Sequence, residues 1–289
     1  MLRVRYLLHP IRSARGLYNL VAKRARRAVY RPVVWWHMRT FQRGTRDRCW
    51  CGGQLLRFKW HRSYGVCAEC GCYVNRRPLL REELARLYSF GLYWHIRQKV
   101  KGNPPIERRP ETDRADGRID YWLGLVQRYC APGARVIEVG CGHGVLLAEL
   151  AQRGYRRIGV EVDEKVAAWV RDNMNVEVRA GLFPGVDLPD CDLFLALDVI
   201  ERSPSPDEFM GAAAGLLRPG GAAIIQTPID RYDYLPPFGD MCHRVFDEVE
   251  HMYVFTPQSI RRLGEMAGLV TTAEDRWHLA HEIAVLARE

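Results

Sequence analysis

Val136 to Gly144 reads VIEVGCGHG, in which Gly140, Gly142 and Gly144 alternate directly after an apolar run. Glycine accepts positive φ and lets a ligand approach the main chain, so this stretch is a tight turn built for close contact. Carboxylates recur around it: Glu138 two residues before the first glycine, Glu161 17 residues after the last, and Asp198 further on. A second group of reactive side chains lies upstream, where Cys49, Cys51, Cys67, Cys70 and Cys72 fall within 24 residues. The first pattern suits a cofactor cradle and the second a thiolate metal site.

The cradle can be narrowed by charge and spacing. In a dinucleotide fingerprint the third glycine follows the first by five residues, and an acid for the ribose comes roughly 20 residues later. Here Gly144 follows Gly140 by four, and Glu138 would repel a pyrophosphate while favouring a cation. S-adenosylmethionine carries a sulfonium and an ammonium and no phosphate, so it is the expected ligand. Glu161, at the end of IGVEVD, is placed to accept the ribose hydroxyls. Gly181, Leu182 and Phe183, which follow VEVRA, offer apolar surface for adenine, and Asp198 ends the next strand near the methionine moiety. The expected cofactor set is Glu138, Gly140, Cys141, Gly142, Gly144, Glu161, Val162, Leu182 and Asp198.

The cysteines form two knuckles, CWCGG and CAECGC, which can supply four thiolates to a tetrahedral zinc. Cys49, Cys51, Cys67 and Cys70 are the expected ligands, with Cys72 as the spare. Four thiolates close a site, so the metal's expected role is structural.

These side chains need elements to hold them. From Arg135 onward, RVIEV, RRIGVEV, VEVRA, CDLFLALDVI and GAAIIQTP alternate with helical patterns, implying an α/β fold with a mostly parallel sheet covered on both faces. VTTAEDRW and HLAHEIAVLARE then read as a hairpin at the sheet edge. Upstream, a short helix follows Pro78, a Pro-rich connector runs from Lys101 to Asp113, and a helix is expected over Arg114 to Tyr129. Residues 1–46 form a basic arm, 47–78 the cysteine module, 79–130 a helical connector and 131–289 the cofactor domain, with a lid at 228–255. Within the arm, Leu7, Ile11, Ala14, Tyr18, Val21, Ala25 and Ala28 make one helical stripe among arginines and lysines.

The formal charge of +9 is uneven: residues 1–48 carry +12 and the remainder −3. The basic character belongs to the arm, which suits an anionic membrane surface or a protein partner, and its composition also resembles a mitochondrial transit peptide. No apolar run reaches the length of a spanning helix, and the cysteine usage fits reduced thiols. The expected location is the cytoplasm, with peripheral membrane association through the arm.

From about Arg114 to Glu289 the chain resembles class I S-adenosylmethionine-dependent methyltransferases, through VIEVGCGHG, GVEVD, FLALDVIERSPSP and LLRPGGAAIIQTP. Cys49 to Trp94 resembles the zinc-ribbon region of methyltransferases of sugar, polysaccharide and natural-product pathways, and EHMYVFTPQSIRRLGEMAGL resembles their segment before the last helix. The resemblance implies a Rossmann-like seven-stranded sheet with its last strand antiparallel, preceded by a zinc-ribbon-like module and the basic helix. It also implies methyl transfer. The family commonly reads Glu-His where this chain has Glu201-Arg202; whether that histidine serves as a base or orients an acceptor, this chain does it otherwise, which leaves the base open.

The segment between the fifth strand and the final helix holds Tyr232, Tyr234, His243, Asp247, Glu250, His251 and Tyr253 and is expected to cover the acceptor. His251 and His243 are candidate bases because imidazole takes a proton near neutral pH, and Asp198 is the candidate at the strand end. The expected acceptor is a hydroxyl of a small molecule: a sugar, a glycan or a secondary metabolite. Alternatives are C-methylation of a keto-sugar, methylation of a nucleic acid, and a non-catalytic cofactor-binding scaffold. Nucleic acid is disfavoured because the body is slightly acidic and lacks the Pro-Pro-aromatic motif after the fourth strand.

Overall fold

The computed structural model describes residues 32–59, 61–228, 246–277 and 281–288, together with Val29. The stripe expected over Leu7 to Ala28, and Tyr232, Tyr234 and His243 of the lid, lie outside the described residues.

Seven strands form the main sheet: β4 (Arg135–Val139), β5 (Arg156–Glu161), β6 (Val178–Ala180), β7 (Cys191–Leu197), β8 (Leu217–Pro228), β10 (Val270–Trp277) and β11 (His281–Ala287). Their order is β10-β11-β8-β7-β4-β5-β6. The pairs among β4 to β8 are parallel, whereas β11 runs antiparallel to both β8 and β10. The expected mostly parallel sheet with an antiparallel last strand and a terminal hairpin is therefore present. Strand order reverses between β4 and β7, and a ligand crevice forms at such a reversal, beyond the strands' carboxyl ends.

Alternation along the strands builds two apolar layers. Val136, Leu193 and Leu195 face Ile119, Leu123, Leu147, Leu150 and Val170 on one side. Ile137, Phe194 and Ala196 face Phe209, Met210, Ile260 and Leu263 on the other. The first layer is covered by α2 (Arg118–Tyr129), α3 (Val145–Gln152) and α4 (Glu164–Met174), and the second by α5 (Pro206–Leu216) and α6 (Pro257–Met266). Local chemistry sets the ends of α4: Asp163 caps it by accepting the Val166 N–H at 3.0 Å, and Asn175 leaves it at φ 51°.

The helix expected from Arg114 is broken. Gly117 at φ 80° separates α1 (Arg109–Ala115) from α2, so most of the charged half of the connector is helical. A further helical stretch, Phe90–Arg97 in π geometry continuing through Gln98–Lys101, fills what reads in the sequence as the approach to that connector.

The cysteine module forms a four-stranded sheet in which β1 (Leu55–Arg57), β2 (Tyr64–Cys67) and β3 (Tyr73–Asn75) are joined by β9 (Tyr253–Val254). Because β9 lies at the end of the segment expected as the lid, 228–255, the small sheet is completed by chain from the expected cofactor domain. The apolar contacts of Tyr64, Tyr73, Phe246 and Val254 seal this junction.

Candidate functional site

The glycine loop joins β4 to α3 at the strand reversal. Gly140, Gly142 and Gly144 have φ of 70°, 54° and 70°. At Gly140 and Gly144 a Cβ would lie 2.5 and 2.3 Å from Val199 and Val170, while at Gly142 it would meet the Trp94 ring at 3.2 Å. Packing thus demands glycine at both ends of the loop, and Trp94 roofs its centre. The Gly140 and Cys141 N–H groups bond to the Val160 carbonyl, tying the loop to β5.

Glu138 and Glu161 lie buried beneath this loop. Glu161 accepts the N–H groups of Gly142 at 3.1 Å and Val162 at 2.9 Å, and burial pushes its carboxyl up to about 7. Burial, with repulsion from Glu161 second, pushes Glu138 up to about 8, and its Oε2 is buried with no hydrogen-bond partner. A buried carboxylate without a cation is costly, and a cationic ligand at this edge would relieve the cost. The donor set therefore fits a positively charged adenosyl cofactor. Leu182, Val162 and Cys141 stand at or beside the same strand ends, with Cys141 buried and Leu182 and Val162 half-buried.

Asp198 follows β7 with φ 59°, a conformation that turns the chain at the crevice. Its N–H donates to the Gln226 carbonyl at 2.8 Å, and its Oδ1 accepts from Gln226 Nε2 at 3.1 Å. Gln226 is buried, and its Oε1 accepts the Trp122 indole N–H at 2.9 Å. These partners orient the amide and so aim Asp198. A second relay reaches the loop: His143 Nε2 lies 2.8 Å from Asp113 Oδ2, and Arg109 Nε donates to Asp113 Oδ1 at 2.8 Å. Burial lowers the His143 pKa against the opposing pull of Asp113, favouring neutral imidazole. With Nδ1 accepting the Val145 N–H at 3.4 Å, the proton sits on Nε2. Trp122, Gln226, Asp113 and Arg109 escape sequence reasoning because neither spacing nor motif connects them to the loop. Trp94 is visible there only as part of the zinc-ribbon resemblance.

Beside the crevice lies a cluster of charge. Arg202 donates to Glu201 Oε1 at 2.9 Å, Glu250 Oε2 at 2.8 Å and the Tyr93 hydroxyl at 3.3 Å. Arg97 contacts Glu250 Oε1 at 2.5 Å, and Lys101 reaches the same oxygen at 2.7 Å and Asp247 at 3.4 Å. Burial opposes ionisation of Glu250, but Lys101, Arg97 and Arg202 hold its pKa well below the usual carboxylate range. Arg202, standing where the resembled family has histidine, is thus a bridge between two buried carboxylates, and such a guanidinium cannot act as a base. His251 is buried; its N–H donates to the Asp247 carbonyl at 2.7 Å, and its own carbonyl accepts the Tyr64 hydroxyl at 2.7 Å. The structure anchors the His251 backbone to the small sheet through Tyr64 and Asn75.

In the cysteine module the Sγ atoms of Cys49, Cys51, Cys67 and Cys70 all lie within 4.8 Å of one another. Cys49 and Cys70 are 3.6 Å apart, and Cys51 and Cys67 3.5 Å. A tetrahedron with Zn–S bonds of about 2.3 Å has edges of about 3.8 Å, so the donor set fits such an ion. Cys72 lies outside this group of four, its thiol donating to the Val254 carbonyl at 3.5 Å.

Residues 112–274 match the family described as "Methyltransferase domain". Ubiquinone biosynthesis O-methyltransferases of Dechloromonas aromatica and Alkalilimnicola ehrlichii are 30% and 31% identical to the chain over 161 and 165 residues. Those alignments cover 52% and 53% of this chain and 65% and 62% of the relatives, so the chain spans less than two thirds of their length. Among solved structures, mitomycin 7-O-methyltransferase superposes with TM-score 0.51 at 18% identity over 72% of this chain and 62% of its own. A Pyrococcus horikoshii OT3 protein superposes with TM-score 0.50 at 19% identity over 61% and 91%. These two likenesses concern the fold. With the family match spanning more than half of the 289 residues, the chain belongs to the methyltransferase-domain family.

Proposed function

We propose that the protein transfers a methyl group from S-adenosylmethionine to an oxygen of a small organic acceptor, of the sugar, glycan or secondary-metabolite class. The observation that carries this reading is the unpaired, buried Glu138 carboxyl beneath a glycine loop, because a cationic cofactor is what such a group lacks. Support for an oxygen acceptor comes from the O-methyltransferase names of the relatives.

When bound, S-adenosylmethionine supplies a methyl carbon already activated by its sulfonium. Glu138 would face the cationic end and Glu161 the ribose. Trp94, lying on Gly142, would keep water off the loop. Most of the chain's contribution is then alignment, bringing the acceptor atom to roughly 3 to 3.5 Å from the methyl carbon. Asp198, aimed by Gln226, would position the acceptor hydroxyl or receive its proton at a carboxylate oxygen. His251 and His243 are the alternative proton acceptors from the lid segment.

Calorimetric titration with S-adenosylmethionine tests the reading: binding by the native chain and its loss in Glu161→Ala are expected, and no binding by the native chain would overturn it. We also propose that Cys49, Cys51, Cys67 and Cys70 hold one structural zinc in a cytoplasmic, thiol-reducing setting. Metal analysis should then find about one zinc per chain, lost in Cys49→Ser/Cys70→Ser; a metal-free, fully folded native chain would refute this.

A further inference from the structure

Helical residues 32–39 have two unlike sides. Val34, His37 and Met38 are half-buried and Phe41, just beyond, is buried. Met38 packs on the core, and its sulfur lies 3.7 Å from Arg97 Nη1. On the outer side Trp35 and Trp36 are 59% and 61% exposed, Val33 39% and Val29 65%. Val33 and Trp36 are spaced by three residues and share a helical face. Among the described residues seven large apolar side chains are exposed, and four of them are Val29, Val33, Trp35 and Trp36. The concentration of apolar surface at one short element asks for a covering phase.

Charge says which phase. The same end of the chain, residues 1–48, carries +12 while the remainder carries −3. Arg39 rims the patch with its guanidinium 4.5 Å from the Trp35 ring centroid. From these observations we infer that the helical residues 32–39 dock the protein on an anionic lipid bilayer, with the basic sequence of residues 1–48 supplying the attraction. Indole rings settle at the level of lipid headgroups, and each arginine or lysine near an anionic surface adds about 1 kcal/mol. Single-stranded nucleic acid would also attract basic residues and stack on tryptophan, but Val29 and Val33 gain nothing from stacking and everything from entering an apolar layer. Among the described residues no helix is long and apolar enough to cross a membrane. A helix of eight residues extends only about 12 Å, so the contact is with the interface.

The docked element touches Arg97, which holds Glu250. Docking therefore brings the charged cluster beside the crevice close to the bilayer, so that a lipid-borne acceptor would meet the site at its edge. That consequence rests on the methyltransferase reading above; the docking does not, and its test needs no cofactor.

The test is co-sedimentation of the full chain with vesicles of phosphatidylglycerol mixed with phosphatidylcholine, against phosphatidylcholine alone. Binding to the anionic vesicles is expected, with a blue shift of tryptophan emission and quenching by brominated lipid. Trp35→Ala/Trp36→Ala should weaken binding by about tenfold or more, with circular dichroism and the unfolding midpoint unchanged. Arg24→Glu/Arg26→Glu/Arg27→Glu, which leaves the tryptophans in place, should lose the preference for anionic vesicles. Failure to sediment with anionic vesicles would overturn the proposal, as would binding indifferent to the tryptophan substitutions. Displacement from vesicles by a single-stranded oligonucleotide bound through the same tryptophans would reassign the face to nucleic acid. A dimer dissolved by the tryptophan substitutions would reassign it to a second copy of the chain.

Discussion

The loop edge and the charged cluster beside it both bury carboxylates, and they treat them in opposite ways. Under the loop, Glu138 has no hydrogen-bond partner for Oε2, and burial with repulsion from Glu161 raises its pKa to about 8. In the cluster, Glu250 meets Arg97, Lys101 and Arg202, and its pKa lies well below the ordinary range. A cluster that supplies its own counter-charges is complete and holds elements together. A carboxyl that lacks one is incomplete until a ligand brings it. Burial alone does not mark a candidate functional acid; a buried carboxyl without a counter-charge at a strand reversal does.

The largest expected effect falls on the complete cluster. Glu250→Ala leaves three cations facing an empty place and should cost about 3–5 kcal/mol in denaturant unfolding. Glu138→Gln should cost little stability, because the native side chain is already held neutral at pH 7 by burial. It should weaken S-adenosylmethionine binding by about tenfold to a hundredfold, since a hydrogen bond to a charged group is worth about 1.5–3 kcal/mol. Equal stability losses in the two variants would erase the contrast. Gln226→Leu strands the Trp122 N–H and removes the amide hydrogen bond to Asp198 Oδ1, with an expected cost of about 1–3 kcal/mol and a fall in kcat larger than any change in cofactor affinity.

The smallest effect, at most about 1.4 kcal/mol per pH unit for each group, is the pH dependence. Between the ordinary carboxylate value of 4.5 and about 8, the folded protein keeps a proton on Glu138 that the unfolded chain has released. The folded state then binds more protons, so stability should decline as pH rises through that window, with Glu161 adding to the slope up to about 7. Glu250 acts in reverse: its contribution is present above the unfolded value of 4.5 and is lost as pH falls below it. A cationic cofactor draws the proton off Glu138, so affinity should rise with pH until about 8 and binding should release protons. Calorimetry in buffers of different ionisation enthalpy reads that release directly.

Much of the loop edge was legible because its parts are contiguous or tied to strand ends. VIEVGCGHG carries its own glycines and its own acid, and the apolar runs alternating with helical patterns announce the parallel sheet that places them. The cysteine knuckles were legible for the same reason, two short pairs on one small sheet. The cluster was not, because Arg97, Lys101, Arg202 and Glu250 come from separate segments and no spacing relates them. Helix breaks misled as well: Gly117 splits what periodicity joins, and α1, read as connector, delivers Asp113 to His143.

By itself, then, the sequence determined the sheet, the glycine turn, the acid beside it and the grouping of four cysteines, each written in local pattern or in the chemistry of adjacent residues. Only the tertiary structure decided that Arg202 is an ion-pair bridge, that Gln226 aims Asp198, and that β9 closes the cysteine module's sheet. Those outcomes depend on which distant side chains share a desolvated volume. There a charge must find its partner or wait for a ligand, and no linear spacing encodes that meeting.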